Sequence, residues 1–216
     1  MVIKPKVEFK PSLLAILLQL KKNYPQAHCA LKFKNPFELL IATMLSAQCT
    51  DIRVNLVTEE LFKKCPTPKD FLKLKLRELE KLVHSTGFYK NKAKNIQLTC
   101  QILVSKYDGK VPQTMEQLYE LPGVGRKTAN VVLGNAYNIS SGVVVDTHVT
   151  RLSNRLGWVK GADAVKIEGQ LNKMCPKSEW IMLSHYLISH GRTVCKARKP
   201  ECQKCFLQRS CPKHGV

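Results

Sequence analysis

Four cysteines close the sequence at the spacing Cys195-x6-Cys202-x2-Cys205-x5-Cys211. Thiolates in such a pattern bind soft metals, and four of them suit either a structural zinc ion or a 4Fe-4S cluster. Four-cysteine zinc sites often pair two close CxxC hairpins. Here one close pair carries two wider arms, which tilts the reading toward iron-sulfur without deciding it. The bases enclosed by the first two ligands, Lys196, Arg198 and Lys199, would be pinned by such a centre and could meet phosphates, with a solvated loop as the plain alternative.

A second chemical segment is Leu121-Pro122-Gly123-Val124-Gly125-Arg126-Lys127-Thr128-Ala129. The proline and two glycines predict a tight hairpin whose backbone amides can approach a phosphate at the positive end of the following helix. A P-loop is excluded, because Arg126 stands where that motif needs glycine before lysine and the preceding element reads as helical. Lys127 falls in the first turn of an apolar helix, where the dipole and Arg126 both disfavour an ammonium. A lysine so placed could attack a sugar carbon and form a Schiff base. Asp146, in Val145-Asp146-Thr147-His148-Val149, ends an apolar run and begins a helix. Its plain role is an N-cap. Its sharper role is a carboxylate that stabilises positive charge on a sugar ring or moves protons.

The elements that must position these residues read as helices. Asn35-Pro36-Phe37-Glu38 opens one that runs through Leu45, and Thr67-Pro68-Lys69-Asp70 opens another or a short turn. Apolar stripes at helical spacing follow over Leu76 to Val83, stopped by Gly87, and over Ala93 to Tyr107, ending at Asp108-Gly109. Thr114 with Gln117 starts a short helix to Leu121, and further helices cover Lys127–Leu133, Thr147–Leu156, Val165–Met174 and Glu179–His190. Val143-Val144-Val145 could be a strand fragment, but one run makes no sheet. The expected fold is all-α.

Composition bounds the partners. The 216 residues are 44% hydrophobic and carry 35 Lys+Arg against 16 Asp+Glu, a formal charge of +19 spread along the chain. Such a charge favours encounter with polyanions, nucleic acid above all. Cys29, Cys49, Cys65, Cys100 and Cys175 are scattered as buried hydrophobes usually are, so a secreted disulfide framework is not expected. Lys4 and Lys6 ahead of Leu13 to Leu20 imitate a signal sequence, yet the run contains Gln19, ends in Lys21-Lys22 and lacks a small-residue cleavage site. It reads as an amphipathic helix, and no stretch is long and apolar enough to cross a bilayer.

The hairpin with Lys127, the Val-Asp-Thr-His-Val segment and the four-cysteine spacing, in this order, resemble the endonuclease III family of DNA repair glycosylases. The resemblance extends to Leu45-Ser46-Ala47-Gln48-Cys49-Thr50-Asp51 and Gly87-Phe88-Tyr89 and so covers nearly the whole chain. It implies a helix-hairpin-helix fold of two helical lobes flanking a DNA-binding cleft: a six-helix barrel lobe over 29–139, and a cluster lobe from 1–28 plus 140–216. It also implies a bifunctional DNA glycosylase and AP lyase of base excision repair, a monomer acting on double-stranded DNA with damaged pyrimidines or abasic sites. The base would be flipped from the stack. Lys127 would attack the sugar C1′, Asp146 would stabilise the developing charge, and β-elimination would nick the strand. Cys195, Cys202, Cys205 and Cys211 would hold a 4Fe-4S cluster. DNA contacts would come from Gln48 filling the vacated space, Phe88 as a wedge, Gly123, Val124, Gly125, Arg126, His148, Lys196, Arg198 and Lys199. Phe88 departs from the aliphatic residue common in the family, although an apolar ring can still intercalate. A bacterial cytoplasmic location, on the nucleoid, fits this reading.

Two rivals share parts of the pattern. An adenine-mispair glycosylase has the hairpin, the aspartate and the cluster but no lysine nucleophile, and it usually carries a further C-terminal domain. A non-catalytic DNA-binding module would have no use for both Lys127 and Asp146.

Overall fold

The computed structural model describes residues 11–216, so Lys4 and Lys6 lie outside the described residues. Eleven α-helices and three short 3-10 turns follow one another with no strand among the described residues, and the protein is all-α. It divides into two compact units, one continuous over Cys29–Ser141 and one made from the described residues up to His28 together with Gly142–Val216. The expected division at 139 falls two residues earlier than this. Ser141 Oγ donates to Asn130 Oδ1 at 2.7 Å, which holds the turn to the helix before it.

The continuous unit is built around α2 (Pro36–Leu45), where Leu39, Leu40, Ile41 and Ala42 are fully buried. Its start is fixed twice over: Asn35 Oδ1 accepts from the Glu38 amide at 2.9 Å, and Glu38 Oε2 accepts from the Lys34 amide at 2.7 Å. Around it pack α3 (Asp51–Lys64), α4 (Pro68–Lys73), α5 (Leu76–Val83), α6 (Tyr89–Lys106), α7 (Met115–Tyr119) and α8 (Arg126–Tyr137). Phe71, Leu79, Ile96, Leu103, Leu118 and Leu133 complete one core. The Thr67 opening yields a helix of only six residues, begun by a capping box with Asp70 and ended where Leu74 turns extended. The pairing of Thr114 with Gln117 gives a single cap, from the Gln117 amide to Thr114 Oγ1.

The second unit packs α1 (Leu13–Asn23) with α9 (Thr147–Arg155), α10 (Ala164–Met174) and α11 (Trp180–Thr193). Leu13, Ile16, Leu17 and Leu20, at helical spacing, meet Val149, Leu152, Leu183 and Leu187 in its core, while Leu14 and Leu18 stay exposed. The apolar run Val143–Val145 is buried as a connector with no ladder partner, and its first amide donates to Asn172 Oδ1 at 3.0 Å. Among the described residues no helix is long and apolar enough to cross a membrane.

Candidate active site

In the continuous unit, Leu121–Gly125 forms a turn between α7 and α8, closed by the Val124 amide donating to Leu121 O at 3.0 Å. Val124 is buried and anchors the turn, whereas Gly123, Gly125, Arg126 and Lys127 are exposed. The two glycines serve different ends. Gly123 has φ 78°, and a Cβ there would come within 2.8 Å of Asn95 Nδ2. Gly125 has φ −95° and nothing within 4 Å of its missing Cβ, so it keeps the outward side of the backbone bare at the N-cap of α8. Lys127 stands on the first turn beyond it, with its amine open to solvent.

The same unit brings Gln48 and Phe88 together with that hairpin. Both are non-glycine residues in the left-handed region, at φ 53° and 48°. Such conformations are uncommon and costly for these side chains, and they collect where function requires them. Gln48 lies in the turn between α2 and α3. Phe88 is the N-cap of α6, and the residue is 65% exposed. Gln48, Phe88 and Gly123 line one cavity of about 270 Å³ with Met44, Asn91 and Asn95. At its wall Lys92 is buried, its Nζ donating to Leu45 O at 2.8 Å and Thr86 O at 2.7 Å.

In the second unit, Asp146 caps α9: Oδ1 accepts from the Val149 amide at 2.8 Å. Its half-exposed carboxylate is thereby oriented by the helix it starts. His148, in the first turn of α9, has its ring against Gly191 and Nδ1 3.2 Å from Arg151 Nη2. Burial holds the imidazole below its ordinary pKa, opposed by Asp146 and reinforced by Arg151 and Arg192. Arg151 donates to Gly191 O and Cys195 O, and Arg155 donates to Lys196 O at 2.8 Å and Ala197 O at 2.9 Å. The helix that starts at Asp146 is therefore tied to the loop bearing the first cysteine.

All four C-terminal cysteines line one cavity of about 30 Å³ with Leu152, Arg155, His190 and Leu207. Polar groups surround the sulfurs: Arg155 Nη1 donates to Cys195 Sγ at 3.3 Å, the Leu207 amide donates to Cys205 Sγ at 3.4 Å, and His190 Nε2 lies 3.4 Å from Cys205 Sγ. Among the described residues no three His, Cys, Asp or Glu side chains converge tightly enough to grip a single ion. Four cysteine sulfurs lining one cavity are the donor set of a soft metal centre, a zinc ion and an iron-sulfur cluster alike. Of the three loop bases, Arg198 and Lys199 are exposed, while Lys196 is engaged by Glu201 Oε1 at 2.6 Å. Arg155 also holds this loop, through its bonds to the Lys196 and Ala197 carbonyls.

The left-handed backbones of Gln48 and Phe88, Lys92 beneath them, and the Arg151 and Arg155 anchors are invisible in residue spacing. The nearest signal in the sequence is Gly87, a helix stop that also stands in the Gly87-Phe88-Tyr89 segment of the resemblance. With φ 70° it begins the turn that continues into Phe88.

The model of the HhH-GPD superfamily base excision DNA repair protein matches residues 41–177. Within that superfamily the chain belongs to the endonuclease III family, as its relatives show. It is 54% identical to endonuclease III of Synechocystis sp. over 91% of this chain and 90% of the relative. It is 47% identical to endonuclease III of Bacillus subtilis over 87% and 86%. The structure of a trapped endonuclease III–DNA covalent intermediate, an estranged-adenine complex, superposes with a TM-score of 0.88 at 45% identity, covering 99% of this chain and 97% of that one. The protein is a base excision repair enzyme, a DNA glycosylase with AP lyase activity, and DNA is its partner.

Proposed function

We propose that this enzyme removes oxidised pyrimidines from double-stranded DNA, and cuts at abasic sites, through a Schiff base on Lys127. The observation that carries the proposal is the exposed Lys127 amine on the first turn of α8, directly after a hairpin whose Gly125 leaves the outward backbone bare. The hairpin amides and Arg126 take phosphates at the positive end of α8. The neutral amine attacks C1′ of the flipped nucleotide, the bond to the base breaks, and the base leaves with a proton. Asp146 stabilises the positive charge developing on the sugar and relays the amine proton. The C1′–O4′ bond then breaks, O4′ taking up a proton as the sugar ring opens to leave the imine; the imine acidifies C2′, loss of that proton breaks the C3′–O bond, and water hydrolyses the imine to free Lys127.

Gln48 fills the space left by the flipped base and Phe88 wedges the stack. His148, Lys196, Arg198 and Lys199 add contacts to the DNA backbone. Cys195, Cys202, Cys205 and Cys211 would hold a 4Fe-4S cluster, which would supply a rigid staple for residues 195–211. The enzyme works as a monomer on nucleoid DNA in a bacterial cytoplasm.

Borohydride reduction during turnover of DNA bearing an oxidised pyrimidine should trap a covalent protein–DNA adduct, and Lys127→Ala should abolish it. Base release by the wild type without trapping would refute the lysine mechanism. A broad visible absorption band in the purified protein is expected for the cluster, and a colourless, zinc-containing protein would overturn that assignment.

A further inference from the structure

We infer that Lys92 is a positioning residue for base extrusion, holding in register the two left-handed turns that present Gln48 and Phe88. The inference rests on the wedge and space-filling roles proposed above. Leu45 is the last residue of α2, and its carbonyl is among those a helix end leaves without an intrahelical partner. Thr86 is the last residue of the 3-10 turn before Gly87 and Phe88. The Lys92 ammonium donates to both carbonyls, at 2.8 Å and 2.7 Å, so one charged group bridges the two chain exits. The residues displayed beyond those exits line the same cavity, and Lys92 is part of its wall.

Packing alone does not account for a lysine here. The residue is 7% exposed, and burial pushes its pKa down, so keeping an ammonium at this position carries a cost that a methionine of similar length would avoid. What the ammonium adds is direction, two hydrogen bonds from one nitrogen to two separate segments. The face of α6 that carries Lys92 continues at helical spacing. Asn95 stands against Gly123, and Thr99 Oγ1 donates to Pro122 O at 3.1 Å. A single helix therefore indexes the Gln48 turn, the Phe88 turn and the hairpin against one another.

The test compares two substrates in single-turnover base release, one with the lesion paired in a duplex and one with it unpaired in a bulge. Extruding an unpaired base costs less unstacking, so Lys92→Met is expected to slow release from the paired duplex about tenfold while changing the unpaired substrate less than about twofold. A merely structural role predicts equal losses on both, and that result overturns the inference, as does no loss on either. Gln48→Ala and Phe88→Ala test the reading beneath it. If they lack the selectivity for the paired substrate, the wedge reading fails. If they show it and Lys92→Met does not, only the role of Lys92 fails. Hydrogen exchange on the wild-type enzyme does not depend on a variant folding. The amides of 46–49 and 87–90 should open with one common equilibrium constant, and independent opening overturns the inference.

Discussion

Gly191 lies directly against His148: a Cβ built at position 191 would stand 2.7 Å from His148 Nδ1 and 2.9 Å from Arg151 Nη2. Glycine inside a helix ordinarily costs about 0.5–1 kcal/mol relative to alanine, so its presence in α11 calls for a reason. The reason is the close approach of α9. Gly191→Ala should lower the melting temperature and slow base release, because α9 starts at Asp146 and shifts with His148. Gly169, in α10, has nothing within 4 Å of its missing Cβ. Gly169→Ala should therefore be stabilising by about 0.5–1 kcal/mol. Paired calorimetric melts of the two variants check both signs.

Asp146 both caps α9 and is assigned to the chemistry, and the two roles separate by substitution. Asparagine caps as well as aspartate, so Asp146→Asn should melt near the wild type while base release drops about a hundredfold. Asp146→Ala should lose the chemistry and also about 1 kcal/mol of stability from the missing cap. Unchanged turnover in Asp146→Asn would leave the residue with its cap alone.

Arg155 is 7% exposed and serves two carbonyls and one cysteine sulfur. Arg155→Met removes the donor from these part-buried acceptors and should cost about 1–2 kcal/mol. The damage should centre on 195–201. Urea titration reads the stability, and limited proteolysis after Arg198 should become faster than in the wild type.

His185 has its pKa pushed down to about 4, chiefly by burial and then by His28, against an ordinary value of 6.5. A depressed histidine means that the unfolded chain takes up a proton which the folded one refuses. Its neutral form therefore supports the fold above about pH 6.5, and stability falls as the pH drops from there toward 4, by as much as about 3 kcal/mol. His185→Gln should flatten that slope in chemical denaturation across this range. A slope unchanged by the substitution would assign it to other groups.

Much of this molecule is written in local sequence. Asn35-Pro36 and Thr67-Pro68 start helices because the Asn35 and Thr67 side chains accept from amides only three positions away, which is why spacing reveals them. Helix α3 leaves little trace in the sequence because only Val54, Thr58 and Leu61 of its fourteen residues are buried, a thin stripe among charges. Asp146 showed as a cap because its partner is Val149. Gln48 and Phe88 gave no sign of their backbone conformation, since no glycine or proline marks those positions themselves. Lys92 was one of 35 basic residues, and only the carbonyls of Leu45 and Thr86, brought to it by folding, distinguish it.

The second unit draws its core from both ends of the described chain, and this has a consequence for synthesis. As the chain leaves the ribosome, Cys29–Ser141 is complete and can close on its own core while Ile16 and Leu20 still lack Leu183 and Leu187. Helix α1 must wait, with its apolar stripe uncovered, until nearly all the rest has been translated. The cysteine segment emerges after these helices. Residues 195–211 therefore follow α9 out of the ribosome, and their loop comes to a helix whose Arg151 and Arg155 are already made and can receive it.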